Sequence, residues 1–313
     1  MIKKAGLTLF LLVCLFPVSC SANENQVIEG KVVFWSDRTD NKGPAICLWQ
    51  SGHVRKTPET GINPRWSPEK KRIAIAGGGG REFYGLTILD ENGHVIKRYP
   101  VGSNPPPHVV AWVPKGNSIM YSSNKSDWRN ENLKARVPPN IYQLSLKDGT
   151  IKQLTFFDDG KVIPGLDVSP DGRKLIFVRQ FSSMDPTKFK KECLISNIDG
   201  SNIKKLDILP NNPRWDRTGT RIVYSTGFFK GERIGHGVLA MYDFTTGEET
   251  IILDRRGTHP VFSKDGKQVL FSGGWSGLYL LDLDTQEVKT VLPPKNQGFR
   301  SWSTDTHPDW YQE

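Results

Sequence analysis

Cysteine, histidine and long apolar runs are all scarce in this 313-residue chain. Of four cysteines, Cys14 and Cys20 lie in the first twenty residues, leaving Cys47 and Cys193 for the folded part. A disulfide framework is thereby excluded, and these two fall in strands of separate repeats, too far apart for the roughly 7 Å Cα limit of a bridge. Both are expected to be buried free thiols. The six histidines (His53, His94, His108, His236, His259, His307) are scattered, with no His-Glu-x-x-His, Cys-x-x-Cys or Asp-rich calcium loop, so no standard zinc or calcium site is expected. There is no Gly-x-Ser-x-Gly elbow; Gly274-Trp275-Ser276-Gly277 has the wrong spacing. The Gly77–Gly80 run is not followed by Lys-Ser/Thr and reads as a loop rather than a phosphate cradle. No catalytic residue and no cofactor is expected.

The one sustained apolar run, Gly6 to Phe16, follows Lys3 and Lys4. It is too short to cross a bilayer permanently and has the form of an export signal. Two processing sites fit. Cys20-Ser21-Ala22 ends on a small residue, which gives a signal over residues 1–22. Val18-Ser19-Cys20 resembles a lipobox, which gives a lipoprotein signal over 1–19 and lipidation of Cys20. The residues leave both open, and either predicts an exported, periplasmic protein, soluble or lipid-anchored. The mature part, 23–313, is expected to be one domain without a transmembrane segment. Its formal charge falls from +9 to +7 once Lys3 and Lys4 are removed, too diffuse a surplus for a nucleic-acid track.

What the chain does have is a repeat. Trp66, Trp112, Val168, Trp215, Phe262 and Trp310 each close a short strand, at spacings of 46, 56, 47, 47 and 48 residues. Seven residues after the first five stand Ile73, Ile119, Leu175, Ile222 and Val269; nine after stand Ile75, Tyr121, Phe177, Tyr224 and Phe271. Runs apolar on both faces are strands covered on both faces. Third and fourth strands follow through turns such as Asn92-Gly93 and Asp148-Gly149. The period predicts an all-β, six-bladed β-propeller of four-stranded antiparallel blades. Only an inner strand follows residue 306, while three unassigned strands open the chain (31–36, 45–49, 53–56). N- and C-terminal segments are therefore expected to pair and close the ring.

The repeated Asn63-Pro64-Arg65-Trp66-Ser67-Pro68, Asp167-Val168-Ser169-Pro170-Asp171-Gly172, Asn212-Pro213-Arg214-Trp215 and His259-Pro260-Val261-Phe262-Ser263-Lys264-Asp265-Gly266 resemble the TolB-like β-propeller family and its WD40-like repeats. The resemblance spans about residues 30 to 313. It implies a cell-envelope propeller, here without the α/β domain that precedes the propeller in TolB itself.

Two columns beside the repeat marks carry polar chemistry. Three residues before them stand Asn63, Val109, Gly165, Asn212, His259 and His307. Asn63, Asn212, His259 and His307 are expected at a mouth of the channel. His259 and His307, in adjacent blades, could be a pair of metal ligands, but with no carboxylate in the same column two polar residues at a wet pore mouth are the preferred reading and no metal is expected. One residue before the marks stand Arg65, Ala111, Asp167, Arg214, Val261 and Asp309. Neighbouring blades would pair Arg65 with Asp309 and Asp167 with Arg214, two inter-blade ion pairs on opposite sides of the ring.

The longest connections join second to third strands: 77–84, 125–140, 181–192 and 228–237. They carry aromatics with basic neighbours and a net charge of +4. The candidate partner-binding residues are Tyr84, Trp128, Arg129, Lys134, Arg136, Phe189, Lys190, Lys191, Phe228, Phe229, Lys230 and Arg233, since aromatics and arginines are enriched at interfaces. The expected function is that of a monomeric, non-enzymatic envelope scaffold that binds a protein or acidic glycan on the loop face and channel mouth. The alternatives are a polysaccharide-acting enzyme related to oligogalacturonate lyase propellers and a structural module of a larger envelope complex.

Overall fold

A computed structural model describes residues 28–36, 45–77, 85–101, 107, 109–123, 138–181, 191–226, 237–273, 277–294 and 305–312. All of its regular structure among these residues is β, in six four-stranded antiparallel sheets. Blade 1 is β4 (Ile62–Trp66), β5 (Arg72–Ala76), β6 (Gly85–Asp90) and β7 (Val95–Pro100). Blade 2 is β8 (Val110–Trp112), β9 (Ser118–Ser123), β10 (Asn140–Ser145) and β11 (Ile151–Gln153). Blade 3 holds β12 (Val162–Val168), β13 (Lys174–Gln180), β14 (Lys191–Asn197) and β15 (Lys204–Leu206). Blade 4 holds β16 (Pro210–Trp215), β17 (Arg221–Thr226), β18 (Leu239–Asp243) and β19 (Glu248–Leu253). Blade 5 holds β20 (Gly257–Phe262), β21 (Gln268–Gly273), β22 (Leu278–Asp282) and β23 (Val288–Leu292).

Blade 6 is assembled from both ends of the chain: β24 (Asp305–Tyr311) pairs with β1 (Lys31–Ser36), followed by β2 (Ala45–Gln50) and β3 (His53–Lys56). Trp310 Nε1 donates to Glu29 O at 2.9 Å. Gly30, at φ +94°, packs so closely on the C-terminal strand that a Cβ would stand 1.8 Å from Tyr311 O. Only glycine fits that contact, because it combines a left-handed backbone with no side chain.

Each pair of adjacent blades buries its own apolar layer. Ile88, Tyr99 and Ala74 of blade 1 pack with Val110, Trp112 and Tyr121 of blade 2, while Val32, Phe34, Cys47 and Trp49 of blade 6 pack with Leu270, Leu278 and Leu280 of blade 5. The repeat marks are part of these layers: Trp66, Trp112, Val168, Phe262 and Trp310 are buried and Trp215 is half-buried. Trp112 Nε1 donates to Arg65 O of the preceding blade at 3.0 Å, so an indole also serves as a polar link between blades. Cys47 and Cys193 are buried free thiols in the third strands of blades 6 and 3.

The turns after the inner strands show why Ser-Pro-Asp-Gly recurs. Ser169 Oγ donates to Asp171 Oδ1 at 2.6 Å and accepts from the Lys174 N–H at 2.9 Å, and Ser263 repeats this with Asp265 and Gln268. In blade 4, Asp216 takes the serine's place and accepts from the Arg221 N–H at 3.2 Å. Such local side-chain bonds satisfy backbone groups that a tight turn leaves open.

Candidate functional site

The channel site is built by a distortion repeated in four inner strands. Asn63, Asn212, His259 and His307 have φ of 52°, 50°, 52° and 54°. Each precedes a proline, and each falls where the register slips by a bulge: between Ile62 and Arg65, Asn211 and Arg214, Thr258 and Val261, and opposite Val33/Trp35 for β24. A residue before proline is normally extended. Here the bulge turns it left-handed instead, a conformation that Asn and His tolerate better than most residues, and bulges characteristically re-aim side chains.

Three of the four, Asn212, His259 and His307, line a recess together with Arg65 and Arg214. It is a small recess, open to solvent on one side. Asn63 shares the backbone geometry but is not on its wall. The recess lies at the start of the inner strands, the end of the ring that also carries the blade-to-blade connections and the second-to-third loops.

His259 and His307 come together from blades 5 and 6, with ring centroids 3.7 Å apart. Thr306 Oγ1 lies 3.0 Å from His307 Nδ1, whereas His259 Nδ1 is buried with no hydrogen-bond partner. Burial pushes the His259 pKa down to about 4. His307 is held well below the usual range by burial, then by His259 and Arg214. Both rings are thus neutral at pH 7, each with one N–H donor and one acceptor nitrogen.

Behind them run the charges. Arg65 Nη1 stands 3.9 Å from Asp309 Oδ1, and Arg214 Nε stands 3.5 Å from Asp167 Oδ2. Sequence reasoning expected two separate pairs; the structure joins them, because Arg214 Nη2 also reaches Asp309 Oδ1 at 2.5 Å. The link passes blade 5, where this column holds only Val261. Each aspartate also accepts the N–H of the next blade's repeat tryptophan: Trp66 to Asp309 Oδ2 at 2.6 Å and Trp215 to Asp167 Oδ2 at 2.9 Å. Burial, reinforced by the Asp309 charge, pushes the Asp167 pKa up to about 8, and the Trp215 N–H opposes that rise.

The aspartate-to-tryptophan backbone bond was not anticipated, although an Asp before one mark followed by an Arg before the next recurs half a ring apart. Nor was the left-handed bulge, whose only trace in the sequence is the repeated Asn-Pro or His-Pro dipeptide.

Among the candidate partner-binding residues, Tyr84, Trp128, Arg129, Lys134, Arg136, Phe189, Lys190, Phe228, Phe229, Lys230 and Arg233 lie outside the described residues, as does Cys20. Lys191 is described, and it is strand rather than loop: it opens β14 opposite Gln180. Its Nζ donates to Leu209 O at 3.3 Å and to Asn211 Oδ1, and burial pulls its pKa down to about 7. The ladder of blade 3 extends further than the apolar pattern does and takes in Lys191 and Glu192, the last two residues of the expected loop.

The loop face has polar and apolar features that sequence reasoning did not single out. Arg179 is buried, pairs with Asp159 and Glu192, and lies with its guanidinium 3.5 Å from the Phe157 ring centroid. Lys161 joins both carboxylates at 3.1 and 2.8 Å. Around this network three apolar side chains are open to solvent: Phe156 (79 % exposed), Phe181 (37 %) and Leu209 (54 %). They lie on the connections into and out of blade 3 and at the end of β13, so all three are on the face where the recess opens.

No family profile matches the chain, and no curated protein does. Solved structures do. TolB from Acinetobacter baumannii is 18 % identical, with a TM-score of 0.65 over 91 % of this chain and 67 % of that one. A putative TolB from Agrobacterium tumefaciens is 18 % identical, with a TM-score of 0.55 over 84 % and 88 %. The fold is that of a TolB-like six-bladed propeller. The same architecture occurs in a nidogen/laminin complex (13 % identity, TM-score 0.61, 90 % of this chain and 98 % of that one). It also relates to an oligogalacturonate lyase in complex with manganese (14 % identity, TM-score 0.56, 84 % and 74 %). A metal of that kind is tested by the recess itself. His259 and His307 offer two nitrogens, and among the described residues no group of three or more His, Cys, Asp or Glu is placed to hold an ion. The described residues do not fit a metal centre by themselves. Among them no helix is long and apolar enough to cross a membrane.

Proposed function

We propose that this propeller is a non-enzymatic binding scaffold of the cell envelope, exported to the periplasm, which engages a protein partner on its loop face and channel mouth. The observation that carries this reading is the exposure of Phe156, Phe181 and Leu209 around blade 3, on the same face as the recess. Large apolar side chains exposed singly need no function; three around one blade, two of them phenylalanines, offer the aromatic chemistry enriched at protein interfaces. The likeness to TolB structures and to a propeller solved in a nidogen/laminin complex supports a protein as the partner. The leader and its two processing sites are part of this proposal, and mass spectrometry of the mature N-terminus distinguishes residues 1–22 removed from a lipidated Cys20.

Site-specific photocrosslinking in the envelope tests the reading. A crosslinker at Phe156 or Leu209 is expected to capture one defined protein, and the same group at Ile203 or Ile251, on the rim of blades 3 and 4, is not. Equal labelling from all four positions would overturn it. The second reading, a glycan-acting enzyme, is favoured by the His259–His307 pair and the lyase likeness. Turnover of acidic oligosaccharides that depends on added Mn²⁺ and is lost in His259→Gln would establish it instead.

A further inference from the structure

The recess at the channel mouth has a wall of unusual composition: two guanidiniums, an amide and two imidazoles, interrupted only by prolines, with no carboxylate among its lining residues. We propose that it is a carboxylate socket, which receives an acidic side chain or a chain terminus of the protein partner between Arg65 and the His259–His307 pair.

The state of Arg65 carries the inference. Its side chain is only 13 % exposed, its nearest carboxylate oxygen is 3.9 Å away, and its guanidinium has no hydrogen-bond acceptor among the described residues. A guanidinium has five N–H donors in a planar fork suited to a carboxylate's two oxygens, and groups so enclosed normally find partners. The acids behind it are already engaged. Asp309 takes the Trp66 N–H and the Arg214 guanidinium, and Asp167 takes the Trp215 N–H. Arg65 is therefore a cation whose local counter-charge is largely committed to another arginine.

The opposite wall completes a donor set. The neutral imidazoles of His259 and His307 offer N–H groups without requiring a second charge to be buried, and His259 Nδ1 has no protein partner. Asn212 adds an amide. The left-handed bulges place these three side chains on one wall, and a site held by backbone geometry loses little entropy when it binds. The upward push on Asp167 acts in the same direction, since a protonated Asp167 leaves the four-charge network with a positive surplus.

This inference rests on the protein-partner reading, but its test uses the isolated mature protein and small probes. The socket can therefore fail while crosslinking at Phe156 succeeds, and the reverse. Acetate is titrated against the imidazole resonances of His259 and His307, with acetamide as the uncharged isostere. A saturable shift with acetate alone is expected, and Arg65→Gln, which removes no hydrogen bond of the described fold, should weaken it at least tenfold. Arg65→Lys should recover part of it. A short peptide with a free C-terminal carboxylate should bind more tightly than its amide. No saturable shift, equal shifts with acetamide, or an unchanged shift in Arg65→Gln would overturn the socket. Tighter binding of inorganic phosphate than of acetate would overturn its preference for carboxylates, and tighter binding of galacturonate than of the peptide would overturn the protein source.

Discussion

Single residues at the channel mouth make the stability of the fold depend on pH. His259 and His307 are held neutral by burial, whereas in the unfolded chain each would titrate near pH 6.5. Between pH 6.5 and about 4 the unfolded chain binds more protons than the fold, so stability must fall as pH drops through that window. Chemical denaturation at a series of pH values should show this slope, and it should become shallower in His259→Gln. An unaltered slope in the variant would mean that the ring is hydrated enough to titrate normally. The identity of these residues was visible in the sequence as a column three positions before the repeat marks. Their contact was not, because it depends on two bulged inner strands of adjacent blades turning their side chains toward each other at one mouth.

Among the elements, the inner strands are joined by more than apolar packing. An aspartate on one strand takes the N–H of the tryptophan on the next, once from β24 to β4 and once from β12 to β16. These bonds act as struts between adjacent blades, at two places half a ring apart. Asp309 is the more critical of the two, being buried and bonded to both Trp66 N and Arg214. Replacing it by alanine leaves the buried Trp66 N–H without its acceptor and takes from Arg214 the nearer of its two carboxylates. The expected loss is about 3–5 kcal/mol, the range for breaking one partner of a buried ion pair, and equilibrium unfolding measures it. A loss below ~1 kcal/mol would show that water replaces the carboxylate at no cost. The strand periods were legible because apolar side chains must alternate or fill both faces of a blade. The early start of β14, which makes Lys191 and Glu192 strand, was not, because a strand end is set by the partner's backbone rather than by apolar pattern.

For the whole molecule, closure is the decisive property. Blade 6 has its inner strand from the C-terminus and three strands from the N-terminus, so neither end can be lost without opening an edge in the ring. Deleting residues 307–313 removes most of β24, with it Asp309, His307 and the Trp310 bond to Glu29. The truncated protein is expected to aggregate or to lose its cooperative melt, which calorimetry and light scattering would detect. A normal cooperative transition would show that β1 to β3 can stand without their inner strand.

The sequence by itself determined the ring: six apolar marks at a nearly constant period, with both-face apolar strands between them, leave few ways to bury that surface other than blade against blade. It also singled out the column that holds Asn212, His259 and His307, which line the recess, together with Asn63, which does not. Only the tertiary structure decided what those residues do together. Arg214 reaching past Val261 to Asp309, Arg65 left without an acceptor, two imidazoles 3.7 Å apart, and the exposure of Phe156 beside a buried arginine all depend on distances across the ring. Periodicity specifies neighbours along a strand and between successive blades. It carries no information about how far a side chain reaches over an open channel, and that reach set the character of the site.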